Sequence, residues 1–390
     1  MPSTFRAFGC RRAPIAAVLI VALSAITIAA AQAPSRNSHL AARCVRRTAT
    51  ATPPPRLPPR PTTPKRKTAR VRKVGVLRRC PAGQVPRIVP AKRNVPKGNP
   101  LIGRVRGTAK LFFGSPKRQR KLILKALLPF RKVYKHGGGS QPEQSRFASR
   151  SAFGPGCNGV MSFGSCYYYG SAAYRRTARG GGTTMAVAKP AYSGSGGAGH
   201  SLDEIAVQGG VSDGNIVELG WNVSTAQYAN SNPHLFVFHW IGWAPTCYDT
   251  CAWHQYNSTY APGLDLSALV GHEVYVGWVY YQGNWWAWFD NQWLGYFPGS
   301  EWPAGYTSNS LIQWFGEVSS ANGIPPHTDM GTGTFPPAST AARNATLCDV
   351  DPSLWVCFYY DQQATAATFP TYYKSTHTGF GEVRYGGPGE

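Results

Sequence analysis

The sequence predicts an all-β protein, an antiparallel β-sandwich of two sheets preceded by a basic, largely disordered N-terminal segment. Short β-type runs follow one another from about residue 183, and Gly, Pro, Asn and Ser separate them. No helix-length periodic segment interrupts these runs, which argues against an α/β fold. All 12 Trp residues lie between Trp221 and Trp355, so the core must be built from this later part of the chain.

Charge divides the 390-residue chain into two classes of sequence. Before residue 143 there are 32 of the 41 Lys and Arg residues, whereas the first of the 17 acidic residues is Glu143. From Glu143 onward the formal net charge is −8. The basic first part and the acidic second part therefore need separate interpretations.

Residues 1–31 have the pattern of a secretion signal. Arg6, Arg11 and Arg12 precede an apolar run that begins at Ile15, and small residues lead to a cleavage position near Ala31. The alternative is a retained membrane anchor, but the run is short for a membrane span. The sequence therefore predicts a secreted, extracellular protein.

Residues 32–142 carry 29 basic residues, no acidic residue and few bulky apolar groups. Such a segment cannot bury enough surface to offset the entropy of ordering, so we expect most of it to be disordered or extended. Two roles are open for it: an inhibitory propeptide that the acidic second part holds near neutral pH, or a tail that binds wall polyanions or nucleic acid. Residues 143–182, rich in Gly, Ser and Tyr, are interpreted as a linker or the start of the sandwich domain, which we place at 183–390.

Nine cysteines fit export to an oxidising compartment. Cys10 would leave with the signal, and the other eight allow 105 connectivities. The simplest is sequential pairing: Cys44–Cys80, Cys157–Cys166, Cys247–Cys251 and Cys348–Cys357. A zinc site at CYDTC, residues 247–251, would lack a second ligand pair at finger spacing. We therefore expect no metal and no cofactor.

Two strands carry a carboxylate where an apolar residue would be ordinary. In IVELGWNV, residues 216–223, alternation puts Glu218 on the face opposite Trp221. In LIQWFGEVS, residues 311–319, Glu317 shares a mixed polar and aromatic face with Gln313 and Phe315. If these strands are neighbours, the two carboxylates meet across one sheet.

The sequence does not match the motifs of serine, zinc or aspartic proteases. There is no G-x-S-x-G serine elbow, His272 lacks the second histidine of a zincin, and the tripeptides at Asp249 and Asp329 only approximate an aspartic protease turn. Two carboxylates that face one groove can hydrolyse amides or glycosides through a water molecule. Alternatively, each glutamate is a solvated residue on the outer face of a half-buried sheet.

The region from about residue 183 to the C-terminus resembles the neprosin family of secreted glutamic peptidases. The motifs that carry the resemblance occur in the family's order: SLDEIAV, IVELGWNV, LFVFHW followed by CYDTC, HEVYVGWVYYQGNWWAWFDNQWLGYFP, WFGEV, DMGTGTFP and YGGPG. The resemblance implies a two-sheet sandwich with a cleft and a catalytic pair at Glu218 and Glu317. A common family glutamate falls on Glu273, which we interpret as structural. Phe315 stands where the family more often has Gly.

The implied activity is endoproteolysis of polypeptides, with cleavage after proline taken from the family. We expect the two glutamates to share a proton and activity to peak in acid. Gln313 is the candidate oxyanion donor. The aromatic residues expected to line the cleft are Trp240, Trp285, Trp286, Tyr296 and Trp314.

The runner-up function is a carbohydrate-binding β-sandwich or a glycosidase that uses the same two carboxylates. Exposed Trp also suits sugar stacking, so composition does not separate these classes. For partners, we expect polypeptide substrates that include Pro-rich ones, the basic N-terminal segment as an inhibitor, no specific nucleic acid and a monomeric state.

Overall fold

A computed structural model describes residues 42–48, 51–54, 79–88, 97–98, 157–162, 165–193, 199–209, 214–321, 326–351, 356–359, 364–379 and 381–390. All of them belong to one unit, Ser38–Glu390. The predicted signal at 1–31 lies outside the described residues, as does most of the basic segment.

The first sheet of the sandwich has eight strands, and every neighbouring pair is antiparallel. The strands are β3 (Val160–Ser162), β4 (Ser165–Tyr174), β6 (His200–Gln208), β7 (Ile216–Val223), β8 (His234–Ile241), β9 (Ala244–Pro245), β14 (Leu311–Ala321) and β17 (Ala364–Ala367). Their order in the sheet is β17-β4-β14-β6-β7-β8-β9, with β3 paired to β4. Because β3 and β4 belong to this sheet, the sandwich includes part of the segment 143–182.

The second sheet has nine strands and is also antiparallel. The strands are β5 (Gly180–Ala186), β10 (His254–Gln255), β11 (Glu273–Tyr281), β12 (Asn284–Phe289), β13 (Gln292–Pro298), β15 (Ala342–Asp351), β16 (Val356–Tyr359), β18 (Lys374–Gly379) and β19 (Glu382–Gly386). Their order in the sheet is β10-β13-β12-β11-β5-β15-β19-β18, with β16 paired to β15. The predicted all-β, two-sheet architecture is confirmed.

The main core lies between the two sheets, and period-2 alternation decides which residues enter it. On β7, Val217, Leu219 and Trp221 face inward, as the sequence pattern predicts. The nine-stranded sheet contributes alternate residues of β11 and β12, among them Trp278 and Trp285. The eight-stranded sheet therefore has one face that packs in the core and an outer face on which every other residue of β6, β7 and β14 stands.

Part of the basic N-terminal segment is folded and packs against the sandwich. Strands β1 (Ala42–Arg46) and β2 (Gln84–Ile88) form a two-stranded antiparallel sheet. Ile88 is buried in the main core, the amide of Cys80 donates to Ser258 O at 3.3 Å, and Arg47 Nη2 donates to Tyr256 O at 2.7 Å. The composition of this segment gave no sign of these strands.

Disulfides join Cys44 to Cys80, Cys157 to Cys166 and Cys247 to Cys251. These are three of the four pairs that sequential pairing predicts. Cys348 is also disulfide-bonded, and its predicted partner Cys357 lies outside the described side chains. Since the sulfurs of CYDTC are bonded to each other, the zinc interpretation of that motif is wrong.

Helical structure within the described residues is short. It consists of the α-helix α1 (Thr225–Tyr228) and the 3₁₀ helices Ser267–Leu269 and Gly299–Glu301. None of the helices described is long and apolar enough to cross a membrane.

Candidate active site

Glu218 and Glu317 stand on the same outer face of the eight-stranded sheet, on strands separated by β6. The register of β6 with its neighbours β7 and β14 fixes the positions of Glu218 and Glu317 relative to each other. Glu317 of β14 is opposite Leu202, and Glu218 of β7 is opposite Ala206. Glu204 lies between Leu202 and Ala206 on this face of β6. The three glutamates therefore follow a diagonal across three adjacent strands, with Glu204 at its midpoint.

The three carboxylates converge on one cation, the side chain of Lys97. The Lys97 Nζ atom lies 2.8 Å from Glu204 Oε1, 3.4 Å from Glu218 Oε2 and 3.8 Å from Glu317 Oε2. The amide of the next residue, Gly98, donates to Glu317 Oε1 at 3.3 Å. All four charged side chains are fully buried. The two predicted catalytic residues thus meet at a single point, together with a third glutamate and a basic residue that sequence reasoning missed.

Glu317 is held by hydrogen bonds from neighbouring strands. His200 Nε2 lies 2.6 Å from Glu317 Oε1, while His200 Nδ1 lies 3.1 Å from Ser319 Oγ. Burial alone would raise the pKa of Glu317, but Lys97 and the hydrogen bonds from His200 and Tyr169 outweigh burial and hold the pKa below its ordinary value. Glu317 is therefore the carboxylate of the site that keeps its charge most readily.

The pKa of Glu218, in contrast, lies above its ordinary value. Burial raises its pKa to about 7, although Lys97 and the side chain of Trp240 act against that rise. Glu204 is also buried, and burial together with the charge of Glu218 raises its pKa well above the ordinary value. One site thus contains a carboxylate biased toward the ionised form and two biased toward the protonated form.

Gln313, the predicted oxyanion donor, lies on the face of Glu317 but four residues away, about 13 Å along an extended strand. Through β6 it is level with Glu218, since both are opposite Ala206. Its side-chain nitrogen donates to Gln208 Oε1 at 3.2 Å. Within the described residues Gln313 makes no hydrogen bond to Lys97 or to the glutamates, and its role as the oxyanion donor stays a prediction.

Of the five aromatic residues predicted to line the cleft, only Trp240 shares the face of the glutamates. Trp285 and Trp314 are buried in the core between the sheets. Trp286 and Tyr296 pack on the outer face of the nine-stranded sheet, with ring centroids 4.6 Å apart.

Alternation explains this correction. Consecutive residues of a strand point to opposite faces, so Trp285 and Trp286 cannot line one surface, and Trp314 must oppose Glu317. The aromatic residues that do surround the glutamates form one cluster, which comprises Tyr167, Tyr169, Phe236, Phe238, Trp240, Tyr248 and Phe315.

Glu273 lies away from this site, at the start of β11. Arg343 of β15 pairs with Glu273 and, through Nη1, with Glu382 Oε2 of β19 at 2.6 Å. This ion-pair group links three strands of the nine-stranded sheet, which agrees with the structural role expected for Glu273.

Residues 198–388 match the family model Neprosin. The backbone is similar to Scytalido-glutamic peptidase bound to a peptide-based transition state analog, with 9% identity, a TM-score of 0.36, and coverage of 56% of this chain and 96% of that chain. It is also similar to SCP-B, a member of the Eqolisin family of peptidases, with 9% identity, a TM-score of 0.33 and the same coverage.

A Bacillus licheniformis β-glucanase is similar at 8% identity and a TM-score of 0.28, over 60% of this chain and 86% of that chain. The family match spans β6 to β19 and therefore contains all three glutamates of the site. Residues 198–388 therefore form a neprosin domain, and this match supports a peptidase of the glutamic type.

Proposed function

We propose that this chain is a secreted endopeptidase in which Glu218 and Glu317 activate one water molecule for attack on a peptide bond. The observation that carries the proposal is the convergence of both carboxylates on a single nitrogen atom, Lys97 Nζ. A water molecule is similar in size to an ammonium group and replaces it when Lys97 leaves. Water held there contacts both carboxylates.

The two carboxylates have different roles in this mechanism. Glu317 is the base, because His200 and Tyr169 stabilise its ionised form. It takes a proton from the water, whose oxygen attacks the carbonyl carbon of the scissile bond. Glu218, which burial keeps protonated, donates its proton to the leaving amine nitrogen as the C–N bond breaks.

This assignment predicts activity in acid. Glu218 must be protonated, and its pKa is about 7 while Lys97 is present. Glu317 must be ionised, and its pKa lies below the ordinary value. Lys97 lowers both pKa values, so both rise when Lys97 leaves. The active form therefore exists between the pKa of Glu317 and that of Glu218, and activity falls on either side.

Substrate preference is proposed from the aromatic cluster around the site. Flat rings pack well against the pyrrolidine ring of proline, and Tyr167, Tyr169 and Phe315 stand on the strands that carry Glu317 or border them. Phe315 occupies the position directly opposite Glu204. Cleavage after proline is the preference that this surface and the family resemblance favour.

The basic N-terminal segment acts as an inhibitory propeptide in this proposal. It supplies Lys97 to the site, and its strands β1 and β2 pack against the sandwich. Export fits the disulfides, since such bonds persist in oxidising compartments.

The test compares Glu218→Gln and Glu317→Gln with wild type, each as full chain incubated in acid until processing is complete. The substrates are matched peptides with and without an internal proline, and a soluble polysaccharide. Each variant should lose a factor of about 10²–10⁴ in kcat on the proline peptide, because general acid–base catalysis contributes that much.

Glu301→Gln is the control, because Glu301 is a partly exposed carboxylate in a short 3₁₀ helix and not on the strands that carry the three glutamates. Near-normal hydrolysis by both site variants would refute the catalytic pair. Release of sugar rather than peptide products would replace the peptidase proposal with a glycosidase.

A further inference from the structure

The dipeptide Lys97-Gly98 fills the proposed active site rather than lying near it. Lys97 is 1% exposed, and its ammonium group lies among the three carboxylates and 5.4 Å from the centre of the Phe315 ring. Gly98 packs so tightly against the rings of Tyr167 and Tyr169 that a Cβ atom would lie 2.2 Å from Tyr169 Oη. No substrate carbonyl can reach Glu218 and Glu317 while this dipeptide is in place.

Glu204, rather than the catalytic pair, makes the shortest contact with Lys97. Lys97 Nζ donates a hydrogen bond to Glu204 Oε1 at 2.8 Å, whereas its distances to the other two carboxylates are 3.4 and 3.8 Å. Within the described part of the chain, Lys97 is the one hydrogen-bond donor to the Glu204 side chain, and Glu204 Oε2 accepts no hydrogen bond. A fully buried carboxylate is costly without a partner, so Lys97 is the group that compensates Glu204.

The surroundings of Glu204 differ from those of a catalytic residue. Its cross-strand neighbours are Phe315 on one side and Gly220 on the other, and neither offers a hydrogen bond from its side chain. Glu317, by contrast, is oriented by His200. Glu204 is thus placed to receive a cation at the centre of the diagonal.

We propose that Lys97 is the residue that keeps the enzyme latent and that Glu204 is its anchor, so that latency and catalysis depend on different carboxylates. This inference rests on the proposed function of Glu218 and Glu317. It assigns Glu204 to the regulation of the site and names a particular residue of the basic segment as the inhibitory group.

Acid should release Lys97. The groups that face its ammonium are Glu204 on β6, Glu218 on β7, Glu317 on β14 and the phenol of Tyr167 on β4. The groups that face these glutamates are His200 on β6, Tyr169 on β4 and Tyr248 after β9. Lys97 lowers the pKa of each of the three glutamates.

When Lys97 leaves, those three pKa values rise and the site binds protons, so a fall in pH favours the open form. Lys97 itself stays charged throughout this range, because the three carboxylates raise its pKa despite its burial. Acid thus acts through the carboxylates and not through the lysine.

The first experiment measures initial hydrolysis by intact full chains at about pH 6, before mass spectrometry detects any cleavage of the N-terminal segment. Lys97→Met should raise the rate more than about tenfold over wild type, because the competent form is no longer a minor population. Gly98→Val should also raise the initial rate, because the valine side chain would clash with Tyr169 and keep the dipeptide out of the site. Arg87→Met is the matched control: it removes one exposed positive charge from the same segment and should leave the rate unchanged.

The second experiment does not depend on catalysis. Full chains are treated at neutral pH with an amine-acetylating reagent, and the modification of Lys97 is compared with that of exposed Lys189 in the same molecule. In wild type Lys97 should react more than about tenfold more slowly. Glu204→Gln should bring its rate close to that of Lys189, while Glu301→Gln should not.

The outcomes separate the two proposals. Hydrolysis by acid-processed wild type, with no gain in the intact Lys97→Met and Gly98→Val chains, would overturn the latency role and leave the catalytic pair intact. A Lys97 that reacts as fast as Lys189 in wild type would also overturn it. No hydrolysis by any form would remove the proposed function and the latency role with it.

Discussion

Replacement of His200 by Phe should shift the acid limb of the pH–activity profile. His200 Nε2 lies 2.6 Å from Glu317 Oε1 and stabilises the ionised form of that base. A hydrogen bond to a charged group is worth about 1.5–3 kcal/mol. Since one pH unit corresponds to about 1.4 kcal/mol, loss of the bond should raise the pKa of Glu317 by about one to two units.

The assay is the kcat of acid-processed wild type and variant on one proline peptide, measured across the acid range. The acid limb should move upward by about one to two pH units, while the alkaline limb, which reports Glu218, should stay. Ser319→Ala should give a smaller shift in the same direction, because Ser319 Oγ orients the His200 ring. His327→Phe, at an exposed histidine, should give none. Equal acid limbs for the His200 variant and wild type would refute the assignment of Glu317 as the base.

Three further changes test other parts of the structure. Trp240→Phe removes the indole N–H group that lowers the pKa of Glu218, so the alkaline limb should move to higher pH in the same assay. Gly220→Ala would place a Cβ atom 1.9 Å from Asp203 O; forcing β6 and β7 apart should cost about 1–3 kcal/mol of unfolding free energy in urea titrations. Arg343→Met leaves the partly buried Glu273 without its cation, whereas Glu382 keeps Arg384 as a partner, and should cost about 1–3 kcal/mol by the same measurement, with kcat unchanged.

The spacing of the short strands was enough to predict the antiparallel sandwich, and alternation within single strands was enough to predict the face on which each of Glu218 and Glu317 stands. Alternation shows which face of a sheet a side chain occupies but not the order of the strands. It therefore did not show that β6 lies between the strands of Glu218 and Glu317. The same rule applied to SLDEIAV would have put Glu204 on a face with Leu202 and Ala206, which was a usable signal. The incorrect Trp314 assignment ignored that rule, because Trp314 is three residues from Glu317.

Lys97 and His200 could not be found in this way. Lys97 is one of many basic residues in a segment without apolar periodicity, and its importance arises from a contact with strands more than 100 residues later. His200 is the first residue of β6, where sequence alone does not show whether a side chain faces a partner or solvent. Both positions depend on long-range packing, which no local pattern encodes.

The position of the two-stranded N-terminal sheet turns Lys97 into a tethered ligand. β2 ends at Ile88, which is buried in the core, and Lys97 follows nine residues later, a reach of at most about 30 Å. A short tether gives an effective concentration in the millimolar range, enough for a weak contact to saturate its target. A cut beyond Gly98 leaves the tether whole, so inhibition at neutral pH would persist and be reversible. A cut between Ile88 and Lys97 severs the tether, after which rebinding depends on the length of the fragment that remains.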